Sequence, residues 1–158
     1  MSISKQLAKN LREIHFGGNW TASNLKEHLK DITWQQATSK VYDFNTIATL
    51  TFHSTYYIKG LINVLQRKPL DSKDEVSFIT PPLYSNEDWE KLLNEVWINA
   101  EEAANLLEQL PDEMLLENFT DSKYGNYYRN IAGIIEHLHY HLGQIVLIKK
   151  ILLLKKNA

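Results

Sequence analysis

The stretch Ile134-Ile135-Glu136-His137-Leu138-His139-Tyr140-His141-Leu142-Gly143-Gln144-Ile145 constrains this chain more than any other. It sets three of the six histidines within five residues of an apolar pattern. Ile131, Ile134, Leu138, Ile145 and Ile148 recur at helical steps with no proline among them, which predicts a helix rather than a loop. On such a helix His137 and His141 are separated by about 400°, so they share one face a turn apart and one ligand can touch both. His139, about 200° round from each, points away from that ligand.

The same face continues through Asn130, Ile134, Ile145, Ile148 and Leu152, a mostly apolar stripe, so the pair is expected to point into a core. A buried imidazole without a partner costs about 1 to 3 kcal/mol. Two of them a turn apart ask for one shared partner, and a divalent metal bound by neutral imidazole nitrogens meets that need.

The 158 residues, 44% of them hydrophobic, suit one domain spanning 1–158. A net charge of −2 without long runs of one sign gives no electrostatic reason for nucleic-acid binding. Zero cysteines exclude disulfides, thiolate zinc sites and cysteine nucleophiles, leaving His, Asp and Glu as metal ligands. No apolar h-region follows Met1, which argues against a signal peptide, and a cytoplasmic protein is the expectation. The basic, apolar tail Ile145 to Lys156 is interrupted by Lys149-Lys150. It reads as a helix C-terminus, not a membrane segment.

Ile3 to Ile14 forms an amphipathic pattern ended by Gly17-Gly18, and a short helix follows through Leu25 and Leu29 with Ser23 as its expected cap. His15 and His28 lie near these breaks and lack metal-spaced partners, so they read as hydrogen-bonded or partly exposed histidines. Thr33 to Lys40 reads as a connection. A long helix then runs to about Gln66, with Asn45 or Asp43 as its expected cap. Thr46, Leu50, His53, Tyr57, Leu61 and Val64 form one stripe there, which turns His53 inward as a third buried histidine.

Arg67 to Asn86 loses periodicity and contains Pro69, Pro81 and Pro82. A connection of this length forms the rim of a site or joins helices running the same way. Ser85 or Asn86 caps a third long helix striped by Trp89, Leu92, Leu93, Val96, Trp97, Ala100, Ala103 and Leu107, which packs as core and ends before Pro111. Lys123-Tyr124-Gly125-Asn126 then signals a turn before the histidine helix. The result is an all-α fold with four main helices.

A lone inward histidine in Leu50-Thr51-Phe52-His53, with His137-x-x-x-His141-x-Gly143-Gln144-Ile145 on the last helix, resembles the DinB superfamily of DinB/YfiT-like metalloenzymes. Gly18-Asn19-Trp20-Thr21 and Leu29-x-x-Ile32-Thr33-Trp34-Gln35-Gln36-Ala37 resemble that family's opening, so the likeness spans nearly the whole chain. The resemblance implies a four-helix bundle of up-down-down-up topology, often a homodimer, with one divalent metal on three histidines. By position these are His53, His137 and His141. It also implies a small-molecule substrate and, in some members, thiol-dependent transfer using bacillithiol, mycothiol or glutathione, while many members have no known reaction. Tyr140 departs from relatives that carry a further histidine before the last ligand.

Independently of any family, three neutral imidazoles leave coordination positions open, the arrangement of a catalytic site. Zinc, nickel, iron and manganese are not distinguished by this ligand set. Gln144 and Tyr57 are candidates for hydrogen bonds behind the ligands. A zincin is excluded because Leu138 stands where its general-base glutamate belongs. A di-iron bundle needs two Glu-x-x-His motifs, and only Glu136-x-x-His139 is present, on the opposite face. Two readings follow. One is a metal-dependent transferase or hydrolase acting on a small molecule; the other is a non-catalytic dimeric bundle that binds a small molecule and keeps a vestigial or empty metal site.

Overall fold

Four long helices carry the structure, and most of their ends are set by local chemistry. The computed structural model describes residues 2–156. Helix α1 (Ile3–Phe16) starts at Ser2, whose side chain accepts from the Lys5 amide, and stops at Gly17, whose φ of 108° favours glycine. Two short helices follow, α2 (Leu25–Leu29) and α3 (Trp34–Thr38). The remaining long helices are α4 (Ile47–Leu65), α5 (Asn86–Glu108) and α6 (Tyr127–Lys156). Among the described residues there is no strand, only an isolated bridge between Asn118 and Asn126. No helix among them is long and apolar enough to cross a membrane.

Three local expectations are corrected. The cap of α2 is Asn24, whose side chain accepts from the Glu27 amide, while the Ser23 hydroxyl is occupied by His28 Nε2 at 2.9 Å. The cap of α4 is Thr46, one residue beyond Asn45, because its hydroxyl reaches the Thr49 amide. Thr33 to Ala37 is not a plain connection. Thr33 and Gln36 form a reciprocal capping box that starts α3, satisfying two amides that a loop would leave to water. The expected caps at Ser85 and the glycine stop after α1 agree with the structure.

Side-chain pairings give the packing order. α1 lies against α5 and α6, and α4 lies against the same two helices. Arg12 bonds Glu101, Asn105 and Glu108, while the Asp112 carboxylate accepts from the Ile3 and Ser4 amides at 2.9 Å, so α1 and α5 run oppositely. Lys59 pairs with Glu95 and Gln66 with Glu102, so α4 and α5 run the same way. The long 66–85 connection is therefore a crossover, as parallel neighbours require.

The core fills the space these helices enclose. Leu11, Ile14, Ile58, Leu61, Leu107 and Ile131 are fully buried, each worth about 1.5 to 3 kcal/mol of transfer free energy. Trp89 is buried with them, and its indole N–H donates to the Ile32 carbonyl at 2.8 Å, tying the bend before α3 to α5. His15 also sits inside this core and donates its Nδ1 proton to the Leu11 carbonyl at 2.7 Å. It is a hydrogen-bonded histidine, as expected, and a deeply buried one.

Burial is the main reason the His15 pKa falls from 6.5 to about 4. Between those values the folded protein binds fewer protons than the unfolded chain. The stability that neutral His15 contributes is complete above about pH 6.5 and is lost as the pH falls toward 4. Urea unfolding across this window is expected to show His15→Gln with a shallower fall, by up to about 1.4 kcal/mol per pH unit. An unchanged slope would assign the acid sensitivity elsewhere.

Candidate metal centre

α4 and α6 pack side by side in opposite directions. Leu50 shares a cavity wall with Gln144 and Leu147, whereas Tyr57 shares one with Gly133 and Asn130. Midway between these levels His53 meets His137 and His141. The Nε2 atoms of His53 and His137 are 3.1 Å apart, and those of His137 and His141 are 2.8 Å apart. One ligand atom from each ring lies within 4.8 Å of the other two. The three histidines singled out in the sequence are thus brought together, and by the same nitrogen of each ring in both close contacts.

Their surroundings are unequal. His53 and His141 are buried, while His137 is only partly buried and borders a cavity of about 350 Å³ with Tyr57, Arg129, Asn130, Gly133 and Ile134. The expectation that the pair points into a core thus holds for His141, while His137 faces the cavity. The core face of α6 is Ile131, Leu138, Leu142, Ile145 and Ile148, so the expected stripe shares Ile145 and Ile148 with it and the histidines stand at its margin. Asn130 and Ile134, expected to extend an inward stripe, line the cavity wall.

All three imidazoles are held below their ordinary pKa, so they are neutral at pH 7. Burial is the largest cause in each case. For His53 the neighbouring His141 adds to it, and the main chain of Ser77 partly offsets it. For His137 burial and the charges of both partners push the value to about 4. For His141 burial dominates and the hydrogen bond to Gln144 opposes it.

The hydrogen bonding around the rings is incomplete without a further partner. Gln144 Oε1 accepts the His141 Nδ1 proton at 2.7 Å, which leaves a lone pair on His141 Nε2. His53 Nδ1 is buried and makes no hydrogen bond of ordinary geometry, although the Ser77 main chain comes near the ring. Three Nε2 atoms then face one another with too few protons to pair them all, and a cation accepting three lone pairs satisfies every one. Imidazoles bound to one ion at about 2.0 to 2.1 Å in tetrahedral directions have nitrogens roughly 3.3 Å apart. Two contacts, at 3.1 and 2.8 Å, lie close to that spacing, and all three nitrogens stay within 4.8 Å of one another.

The long connection closes over this group, as its length suggested. Phe78 stacks on His53 with ring centres 3.7 Å apart and planes 15° apart. Tyr57 meets His53 and His137 edge-on, and its hydroxyl donates to Asp74 at 2.7 Å rather than to a ring nitrogen. Burial and Asp74 hold the Tyr57 pKa above its usual value, so the phenol stays a donor. The Lys73 amide donates to the Tyr56 hydroxyl, pinning the same loop. Sequence reasoning missed Phe78 and Asp74, since nothing in an aperiodic segment marks which residue folds back. Of the remaining histidines, His139 turns away and donates to the Ile135 carbonyl, and His28 bonds Ser23. Tyr140 is largely exposed with its ring edge against His141.

A family model described as the DinB superfamily matches residues 17–145, more than half of the chain, and that span includes all three histidines. The chain belongs to the DinB superfamily. No curated protein and no solved structure matches it. Helix α1, which precedes the matched span, is packed into this DinB bundle through Arg12 and the buried Leu11 and Ile14. Gly143, two residues after His141 in the motif, has open space where a side chain would begin, so packing does not explain it.

Gly60 marks where the loop crosses α4 most closely, because a Cβ there would collide with Ser72 Oγ while meeting Ser72 Cβ at an ordinary 3.5 Å. Alanine is favoured over glycine in a helix by about 1 kcal/mol. Gly60→Ala in a Ser72→Ala background is therefore expected to stabilise the protein by most of that amount, and by clearly less in the wild-type background. Equal gains in urea titrations would show that the loop does not press on Gly60.

Proposed function

We propose that this DinB protein is a metal-dependent enzyme acting on a small molecule, with His53, His137 and His141 holding one divalent ion. The reaction class is thiol-dependent transfer or hydrolysis. One observation carries the reading: three neutral Nε2 atoms converge beside a cavity that His137 borders. Bound there, a divalent ion supplies Lewis acidity and lowers the pKa of a water or thiol at its open positions. The chain's own groups do the rest. Gln144 holds the His141 proton on Nδ1 and so aims its Nε2 lone pair inward. Phe78 shields His53 from water on one ring face. Tyr57, kept protonated, offers a hydroxyl at the cavity wall. The ligand set does not select among zinc, nickel, iron and manganese. A cytoplasmic setting belongs to the same reading, for a chain that has no cysteine to oxidise.

A homodimer is part of this proposal. Tyr140, Leu147 and Leu154 recur every seven residues along α6 and are 63%, 54% and 70% exposed. An apolar seam of that period suits a second copy of the same helix. Sedimentation at tens of micromolar is expected to give a dimer for wild type and a monomer for Leu147→Glu. A wild-type monomer would remove this part of the proposal.

Metal content by mass spectrometry, beside thermal melts with and without chelator, tests the centre itself. Wild type is expected to carry about one ion per chain and to melt lower after chelation; a ligand at a hundred times its Kd contributes about 2.7 kcal/mol. His141→Ala is expected to lose both the ion and the response to chelator. A metal-free wild type indifferent to zinc, nickel, iron and manganese would favour the non-catalytic small-molecule-binding bundle instead.

A further inference from the structure

The helical step that pairs His137 with His141 extends backward along α6. Gly133 and Arg129 lie at the same four-residue spacing, so Arg129, Gly133, His137 and His141 form one line along the helix. The first three border the same cavity of about 350 Å³, walled also by Tyr57 and Ile134. Gly133 makes the floor of that cleft, since an added Cβ would meet nothing within 4 Å. Arg129 stands at its far end, a Cα rise of about 12 Å from His137. Its stem is seated against Gly125, where a Cβ would approach Arg129 Cδ to 2.9 Å, and Gly125 itself has a φ of 76°.

Arg129 is exposed, and its side chain forms no ion pair among the described residues. Of the three arginines in the sequence, Arg12 is engaged by Glu101, Glu108 and Asn105, Arg67 borders a different cavity, and Arg129 borders the one that His137 lines. Among the described residues no carboxylate pairs with the Arg129 side chain, although it lies on the wall of the cleft that leads to the histidines. A planar guanidinium left unpaired beside a small-molecule cavity is shaped to receive a carboxylate through two parallel N–H bonds. The adjoining cavity of about 600 Å³ shares Tyr57, Asn130 and Ile134 with this one, and its wall carries Asp74 and Glu75 besides Lys73. Those two acids offset the local cations. They favour a singly charged head group over a doubly charged phosphate.

We propose that this cleft selects small molecules bearing one carboxylate, which Arg129 binds, while Gly133 leaves room for the body of the molecule to reach His137. This inference rests on the reading of the histidines as the reacting end, and it concerns what determines the substrate class at that end. Arg129 is a binding residue in it, one that positions the substrate without taking part in bond changes.

The test is a ¹H–¹⁵N NMR titration of the labelled protein with 3-phenylpropanoate, 3-phenylpropan-1-ol and 2-phenylethylphosphonate. These probes share one apolar body and differ only in the head group. The carboxylate is expected to shift the Arg129 Nε–H and Gly133 amide signals saturably, with the alcohol weaker by about tenfold or more, as for loss of a bond to a charged group. Arg129→Gln is expected to bring the carboxylate down to the level of the alcohol, and Arg67→Gln to leave it unchanged. Gly133→Leu fills the floor at a position with open space, so it is expected to fold as wild type and to abolish the shifts. Carboxylate binding that survives Arg129→Gln, that is matched by the alcohol, that is exceeded by the phosphonate, or that is missing in wild type would overturn the proposal.

Metal content separates this inference from the reading beneath it. Arg129→Gln is expected to keep the wild-type ion. His141→Ala is expected to lose the ion and still bind the carboxylate at Arg129.

Discussion

His53 and His137 stand 84 residues apart in the chain, and their contact depends on α4 and α6 lying side by side in opposite directions. That packing is a hydrophobic matter: Ile47, Ile58 and Leu61 on one helix and Ile131, Leu138 and Ile145 on the other are buried in one core cluster. Once those side chains are buried, three imidazoles have no choice but to face one another at the edge of the core. Desolvation then keeps them neutral, and neutrality is the state in which a ring nitrogen offers its lone pair to a cation. The same burial that stabilises the bundle thus prepares the donor set.

The crossover between α4 and α5 gives the site its cover. Because these helices run the same way, the chain must return along the bundle before α5 begins, and the return path passes over His53. Phe78, Asp74 and Lys73 are the points at which it is fastened, through ring stacking and through the hydroxyls of Tyr57 and Tyr56. Gly60 permits the close crossing. A topological requirement of parallel neighbours has in this way become one wall of a cavity, while the line from His137 to Arg129 along α6 forms another.

Most of the fold could be read from periodicity, and its errors were local. Apolar steps of three and four predicted α1, α4, α5 and α6 because burying one face is what makes a helix of that length stable. The caps at Asn24 and Thr46 and the capping box at Thr33 are not fixed by the pattern, because several small polar residues stand together at each of these places. Which of them captures an amide depends on a backbone turn that neighbours decide. On α6 the apolar residues spread over two adjoining sides, and the position of α4 and α1 decides that His141 is buried while His137 borders a cavity.

By itself the sequence determined the three histidines, their helical spacing and the family to which they belong. Those features depend on residue identity and on interactions within a few residues, which a linear pattern records. It also determined that no cysteine chemistry is available. Only the tertiary structure decided that His137 borders a cavity, that Phe78 stacks on His53, that Gln144 rather than Tyr57 bonds the His141 ring, and that Arg129 lines the same cleft. Each of these joins elements far apart in the chain or a loop with no periodicity, and such contacts are set by how helices pack, which no local pattern encodes.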